Sequence, residues 1–218
     1  KRNTMTLTLY YHPLSNFCQK ALIALYESKV DFTPAFIDLG NEDDRAKLGA
    51  VWPMVKFPVL KDEASGETVP EATIIIEYLN DRHPAAVPLI PADRDAARRV
   101  RLMDRFFDLH VNQHMFGVVS DRLKPDKRKD PAGVEEAKAK LAETYALADK
   151  ELANREWAAG DFSMADCAAA PTLYYANRIV PFGEHKNLAA YFDRLMKRPS
   201  FARVFEEAAA YRHLFPAE

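Results

Sequence analysis

Apolar and polar positions change period several times over the first eighty or so residues. Thr6 to Tyr11 (TLTLYY) is dense in strand-forming residues, and Ser15 to Ser28 then carries Cys18, Leu22 and Leu25 at helical spacing. Phe32 to Asp38 (FTPAFID) predicts a second strand, and Pro34 places it at a sheet edge. Strand, helix and strand in this span form a right-handed βαβ unit with parallel strands. Asn41 to Ala50 reads as a loose polar connector. Two short strands follow, Val59 to Asp62 and Glu67 to Val69, joined by the turn signal Ala64-Ser65-Gly66. Glu71 to Arg82 closes the section as a helix with Ile75 and Leu79 on one face. Residues 5–82 are thus expected to form one α/β layer, βαβ followed by ββα.

His83 to Pro91 (HPAAVPLIP) has prolines at 84, 88 and 91 and no helical period, so residues 83–91 read as a linker. Beyond it the strand signals stop, and residues 92–218 read as all-helical. Arg94 to Val118 predicts one helix, with Val100, Met103, Phe107, Val111 and Val118 apolar. Val134, Ala137, Leu141, Tyr145, Ala148 and Leu152 form a second stripe at steps of three and four. Three more helices are expected over Ser163 to Val180, Leu188 to Lys197 and Ser200 to Tyr211. In D-F-S-M-A-D, Ser163 and Asp166 have capping-box spacing, with Phe162 placed to staple onto Cys167. Pro171 is expected to bend the helix that follows.

Composition narrows the class. The 218 residues carry a net charge of −2 with mixed signs, which argues against a general nucleic-acid binder. No apolar run reaches the ~20 residues that span a bilayer, and no secretory signal heads the chain; Lys1 to Thr4 stand outside the fold argument. Cys18 and Cys167, far apart and without repeating spacing, suggest reduced thiols and a cytoplasmic setting. His110 and His114 share a helical face, but no third ligand is placed by sequence, so no metal is expected. The stretch His12 to Lys20 (HPLSNFCQK) is the chemical question. Ser15 can be a plain helix cap above an incidental thiol, or the hydroxyl of an anion site built for a sulfur.

The assembled pieces resemble the cytosolic glutathione S-transferase family, in particular its Ser-using, theta- and zeta-like bacterial members. Lys56-Phe57-Pro58-Val59-Leu60 resembles the family's G-K-V-P-V-L, whose proline is cis. Glu71-Ala72-Thr73-Ile74-Ile75-Ile76-Glu77-Tyr78-Leu79 resembles E-S-x-A-I-x-x-Y-L. The capping box at Ser163 and Asp166, and the break at Arg198-Pro199-Ser200-Phe201, match two further family signatures. The resemblance runs from Met5 to the end. It implies an α/β thioredoxin-like N-terminal domain, a linker and an all-α C-terminal domain. It also implies a cytoplasmic homodimer that conjugates glutathione, its co-substrate, to a small, hydrophobic electrophile in detoxification.

The residue roles are those the resemblance implies. Ser15 falls where Ser-using members place the thiol donor. A free thiol ionises near pH 8.5, and lowering that by about two units stabilises the thiolate by roughly 2.7 kcal/mol. Tyr11 is a second donor, as in Tyr-using classes, although the helix alignment puts Leu9 in that place. Cys18 is a third reading: Ser15-Asn16-Phe17-Cys18 has C-x-x-C spacing with the first Cys replaced. It would support a glutathione-dependent peroxidase or thiol-disulfide reductase. Phe57, before Pro58, would pair with the cysteinyl backbone of glutathione, Lys56 with the glycine carboxylate, and Glu71 with the γ-glutamyl amine. Ala72 stands where the family has Ser, which removes one hydroxyl contact, and Thr73 points elsewhere around the helix. That loss, about 1.5–3 kcal/mol for a bond to a charged group, also admits a non-catalytic binding module. Asp104 would reach the glutathione of a partner subunit. Phe107, His110, His114, Met115 and Phe215 are candidates for the electrophile wall.

Overall fold

The computed structural model describes residues 6–83 and 88–216. The expected domain start at Met5 and most of the expected linker, residues 84–87, lie outside them. The first half opens with β1 (Leu7–Tyr11), α1 (Asn16–Ser28) and β2 (Thr33–Phe36). β2 runs parallel to β1 with Leu9 opposite Pro34, at the edge that proline requires. α2 (Glu42–Val51), β3 (Val59–Asp62), β4 (Thr68–Pro70) and α3 (Ala72–Arg82) complete it. The sheet order is β2-β1-β3-β4, with β3 antiparallel to both of its neighbours. The hairpin strand β4 starts one residue later than the pattern suggested.

The polar connector expected over Asn41 to Ala50 is instead α2. Its start is chemically sound: the Asn41 side chain accepts the N–H groups of Asp43 at 2.9 Å and Asp44 at 3.2 Å. Glu42, Asp43 and Asp44 then sit in the first turn, where the helix dipole favours acids. The helix lacked a stripe to betray it, because Leu48 is its one buried residue. α2 covers the sheet face on which Ile37, Leu48 and Val59 cluster with Tyr10 and Phe57. Leu7 and Leu9 point to the opposite face, against α1 and α3.

The second half is helical: α4 (Arg94–Arg105), α5 (Asn112–Arg122), α6 (Pro131–Leu152), α7 (Met164–Ala176), α8 (Lys186–Met196) and α9 (Pro199–Glu207). The single helix expected from Arg94 to Val118 is interrupted by a π-helical segment, Phe106–Val111, between α4 and α5. Such widened turns concentrate where a helix presents side chains to a site. Here the segment carries Asp108 towards α1. A final 3₁₀ turn, Ala209–Leu214, follows α9.

At the start of α7 the capping box forms, with Asp166 Oδ2 accepting the Ser163 N–H at 2.8 Å. The helix runs through Pro171 without a break in its span. α1 is wedged between α3 and α7, so every residue from Cys18 to Leu25 is buried. It belongs to the cores of both halves, and each of Leu22, Ile23 and Leu25 contributes about 1.5–3 kcal/mol by burial.

Candidate active site

Three backbone features lie at one end of the sheet, where Tyr10 pairs with Val59 and Val59 with Pro70. The first is the start of α1. Ser15 caps the helix, its Oγ accepting the Cys18 N–H at 3.3 Å, while its own N–H donates to the His12 carbonyl at 3.1 Å. A hydroxyl that accepts in this way keeps its proton to give. Next to it, Asn16 donates through Nδ2 to Asn112 Oδ1 at 2.6 Å, which ties the helix start to α5. Cys18 is fully buried and takes the His12 N–H on its sulfur at 3.5 Å. Burial pushes its thiol up to about 12, against the downward pull of the Ser15 hydroxyl and the His12 amide.

The second feature is the cis peptide between Phe57 and Pro58, which turns the chain into β3. Pro58 is buried, Phe57 half-buried and Lys56 exposed. The third is the start of α3. Glu71 sits at φ +72° and ψ 123°, a conformation that side chains rarely adopt, and its carboxylate makes no capping bond. Behind it, Ala72 is buried. The Thr73 hydroxyl turns inward, accepting from Lys20 Nζ at 2.8 Å and donating to Asp104 Oδ2 at 3.0 Å. A cavity of about 460 Å³ opens here, lined by Phe17, Glu71, Ala72, Arg105, Asp108 and Leu109 among others.

Beneath this cavity lies a buried ionic cluster joining the two halves. Lys20 Nζ stands 2.6 Å from Asp104 Oδ1 and 2.7 Å from Asp108 Oδ2. Arg105 Nη2 lies 2.7 Å from Asp104 Oδ2 and 2.5 Å from Asp108 Oδ2, and also touches Thr73 Oγ1. Burial raises the Asp108 carboxyl, opposed chiefly by the Lys20 charge. Burial pulls the Arg105 guanidinium down, but its bond to Asp104 and the charges of Asp104, Asp108 and Glu71 outweigh it and hold it above its usual value. Breaking such a cluster is costly because the surviving charge stays out of water.

Several sequence expectations change. Asp104 is completely buried with its carboxylate on Lys20 and Arg105, so it does not reach outward to a partner subunit. Tyr11 faces a different cavity with Tyr26, Arg203 and Glu207; its hydroxyl is raised by burial and then by Glu207. Phe107 and Met115 are core residues rather than a wall, Phe107 stacking on Tyr191 at 6.3 Å between ring centres. His110 is exposed. His114 is lowered by burial, then by Lys140 and His110, and the nearby Lys140, Glu136 and Glu143 belong to α6. Neither histidine lines the cavity at α3. Phe215 stacks on Tyr175 at 5.1 Å, and the Tyr175 hydroxyl donates to the Leu14 carbonyl at 3.1 Å, which brings the C-terminal segment beside the β1–α1 loop. Among the described residues no group of three or more His, Cys, Asp or Glu is arranged to hold a metal.

Comparison with known proteins places this arrangement. The model of the glutathione S-transferase N-terminal domain matches residues 9–87, and that of the C-terminal domain matches residues 106–199. The chain belongs to the glutathione S-transferase family. Its thioredoxin-like sheet domain and helical domain are the family's two parts. Glutathione S-transferase GstB of Escherichia coli is 25% identical over 203 residues, covering 91% of this chain and 97% of that protein. A probable maleylacetoacetate isomerase of Caenorhabditis elegans is 28% identical, covering 78% of each. A glutathione S-transferase from Methylobacillus flagellatus, solved with glutathione bound, superposes with a TM-score of 0.83 at 27% identity, covering 91% of this chain and 98% of its own.

Sequence reasoning missed Lys20, Arg105, Asp108 and Asn16 as parts of this candidate site. One signal was available for the first: Lys20 stands directly before the apolar run Ala21 to Leu25, two residues after Cys18. A lysine there must find acids from elsewhere in the chain.

Proposed function

We propose that this chain is a glutathione transferase in which the Ser15 hydroxyl holds the tripeptide's sulfur as a thiolate. The observation that carries the reading is the cap geometry: Ser15 Oγ accepts from Cys18 N–H, which fixes its position without using its proton. The amides at the start of α1 and the dipole behind them favour the anion. The thiol proton leaves to solvent, the thiolate forms a carbon–sulfur bond with the electrophile, and the displaced group departs with its electron pair. Phe57, exposed in its backbone by the cis proline, would align the cysteinyl residue like an added strand, and Glu71 would take the γ-glutamyl amine. Lys56, exposed on the same loop, would meet the glycine carboxylate. Residues 5–82 then form the glutathione domain and residues 92–218 the wall for a small apolar electrophile, with Phe215 the wall candidate nearest the β1–α1 loop. A homodimer completes the proposal.

The redox reading through Cys18 is less well supported, since a fully buried thiol near 12 is a poor nucleophile. Turnover of an activated aryl halide tests the proposal. Ser15→Ala is expected to cut it about 100-fold, the cost of two units of thiol acidity, with glutathione affinity within about threefold of wild type. Unchanged turnover removes Ser15 from the mechanism.

A further inference from the structure

The cavity at the start of α3 presents charges of both signs drawn from both halves of the molecule. Glu71, exposed and without a capping bond, offers an anion to an ammonium group. A γ-glutamyl residue also carries a carboxylate, and the side chain at 72 has no hydroxyl to receive it. On the opposite wall stands Arg105, at the end of α4, with its side chain 45% exposed. Its Nε and Nη2 are anchored on Asp104 Oδ2 at 3.1 and 2.7 Å, and Nη2 also meets Asp108. That grip fixes the plane of the guanidinium, while Nη1 makes no hydrogen bond among the described residues. Within the cluster Lys20 and Arg105 offset Asp104 and Asp108, and beyond it the charge of Glu71 also acts on Arg105.

We propose that Arg105, a residue of the helical half, binds the α-carboxylate of the γ-glutamyl group and replaces the hydroxyl that Ala72 lacks. This rests on the glutathione reading above. A guanidinium already held in one plane loses little freedom on binding, and Nη1 keeps its two N–H groups for a carboxylate oxygen. Asp104 and Asp108 act here as positioning residues, aiming Arg105 rather than touching the ligand. Glutathione specificity is thereby divided between the halves: Glu71 reads the amine from one side and Arg105 the acid from the other.

The experiment compares glutathione with 4-aminobutanoyl-cysteinylglycine, which lacks only that carboxylate, by calorimetry on the full chain. Wild type is expected to prefer glutathione by about 10- to 100-fold, the range for a hydrogen bond to a charged group. In Arg105→Gln the two ligands should bind within about threefold of each other. A general loss of structure would weaken both alike and leave the ratio. Ala72→Ser placed in that variant should restore part of the preference. Arg105→Lys, which keeps a charge against the two aspartates, serves if the Gln variant does not fold, and its ratio should fall at least about threefold. A wild-type ratio in either variant overturns the assignment while leaving the glutathione reading intact. Wild type that binds neither ligand at millimolar concentration overturns the glutathione reading itself.

Discussion

At the start of α7, Asp166 is fully buried and accepts from Ala158 N–H at 2.9 Å, Ser163 N–H at 2.8 Å, Ser163 Oγ at 3.1 Å and Tyr191 Oη at 2.7 Å. At the start of α3, Glu71 is exposed, caps nothing, and holds its backbone at φ +72°. Both helices begin with an acid beside free amides. In α7 the acid closes the helix onto the core, and no polar capacity is left over. In α3 the amides and the carboxylate are left open at the price of a strained residue, which the packing of Ala72, Ile75 and Ile76 beneath it sustains. One start is closed on itself and the other is left open. α1 lies between them, since Ser15 caps its own helix and still has a proton to give.

The sharpest way to break this contrast is Asp166→Ala. It strands several buried donors and should cost about 3–5 kcal/mol in urea denaturation, where Glu71→Ala should cost less than about 1 kcal/mol. Equal losses would mean that both starts are structural. Next comes Cys18, whose thiol near 12 lies about three units above the ordinary 9.0. At pH 8 an alkylating reagent should label it about a thousandfold more slowly in the native chain than in denaturant, a ratio that mass spectrometry can read. Fast native labelling would place Cys18 in the open class with Glu71. Ser15→Ala ranks third. The acid limb of kcat/KM should move up from about pH 6.5 to about 8.5, because the thiolate then forms only as the free thiol ionises. The smallest effect belongs to Glu71→Gly. Relief of the positive φ should stabilise the fold by up to about 1 kcal/mol, offset in part by glycine's chain entropy, while glutathione affinity falls. Loss of stability instead would show that Glu71 holds the helix after all.

How much of this was readable beforehand follows from how local each signal is. The βαβ unit, the hairpin and the capping box are short-range patterns, and all three stand in the structure. α2 was hidden because it rests on one buried residue, although Asn41 followed by Glu42, Asp43 and Asp44 was a fair starting signal. The π-helical break was invisible, since nothing local marks a widened turn, and the lysine that Asp108 meets there lies 88 residues away. The same non-locality explains the site. Ser15, Phe57 and Glu71 could be named from motifs, but Phe107 and Met115 could not be told from core residues, and the fate of Asp104 depended on where Lys20 pointed.

The wedged position of α1 has a practical outcome for anyone dividing the gene. A fragment ending near residue 83 would keep the sheet and three helices, yet its first helix would present a bare greasy back and an ammonium group stripped of both counter-ions. Such a piece should clump or stay molten rather than serve as a free-standing tripeptide binder, so the halves are best inherited, and expressed, together.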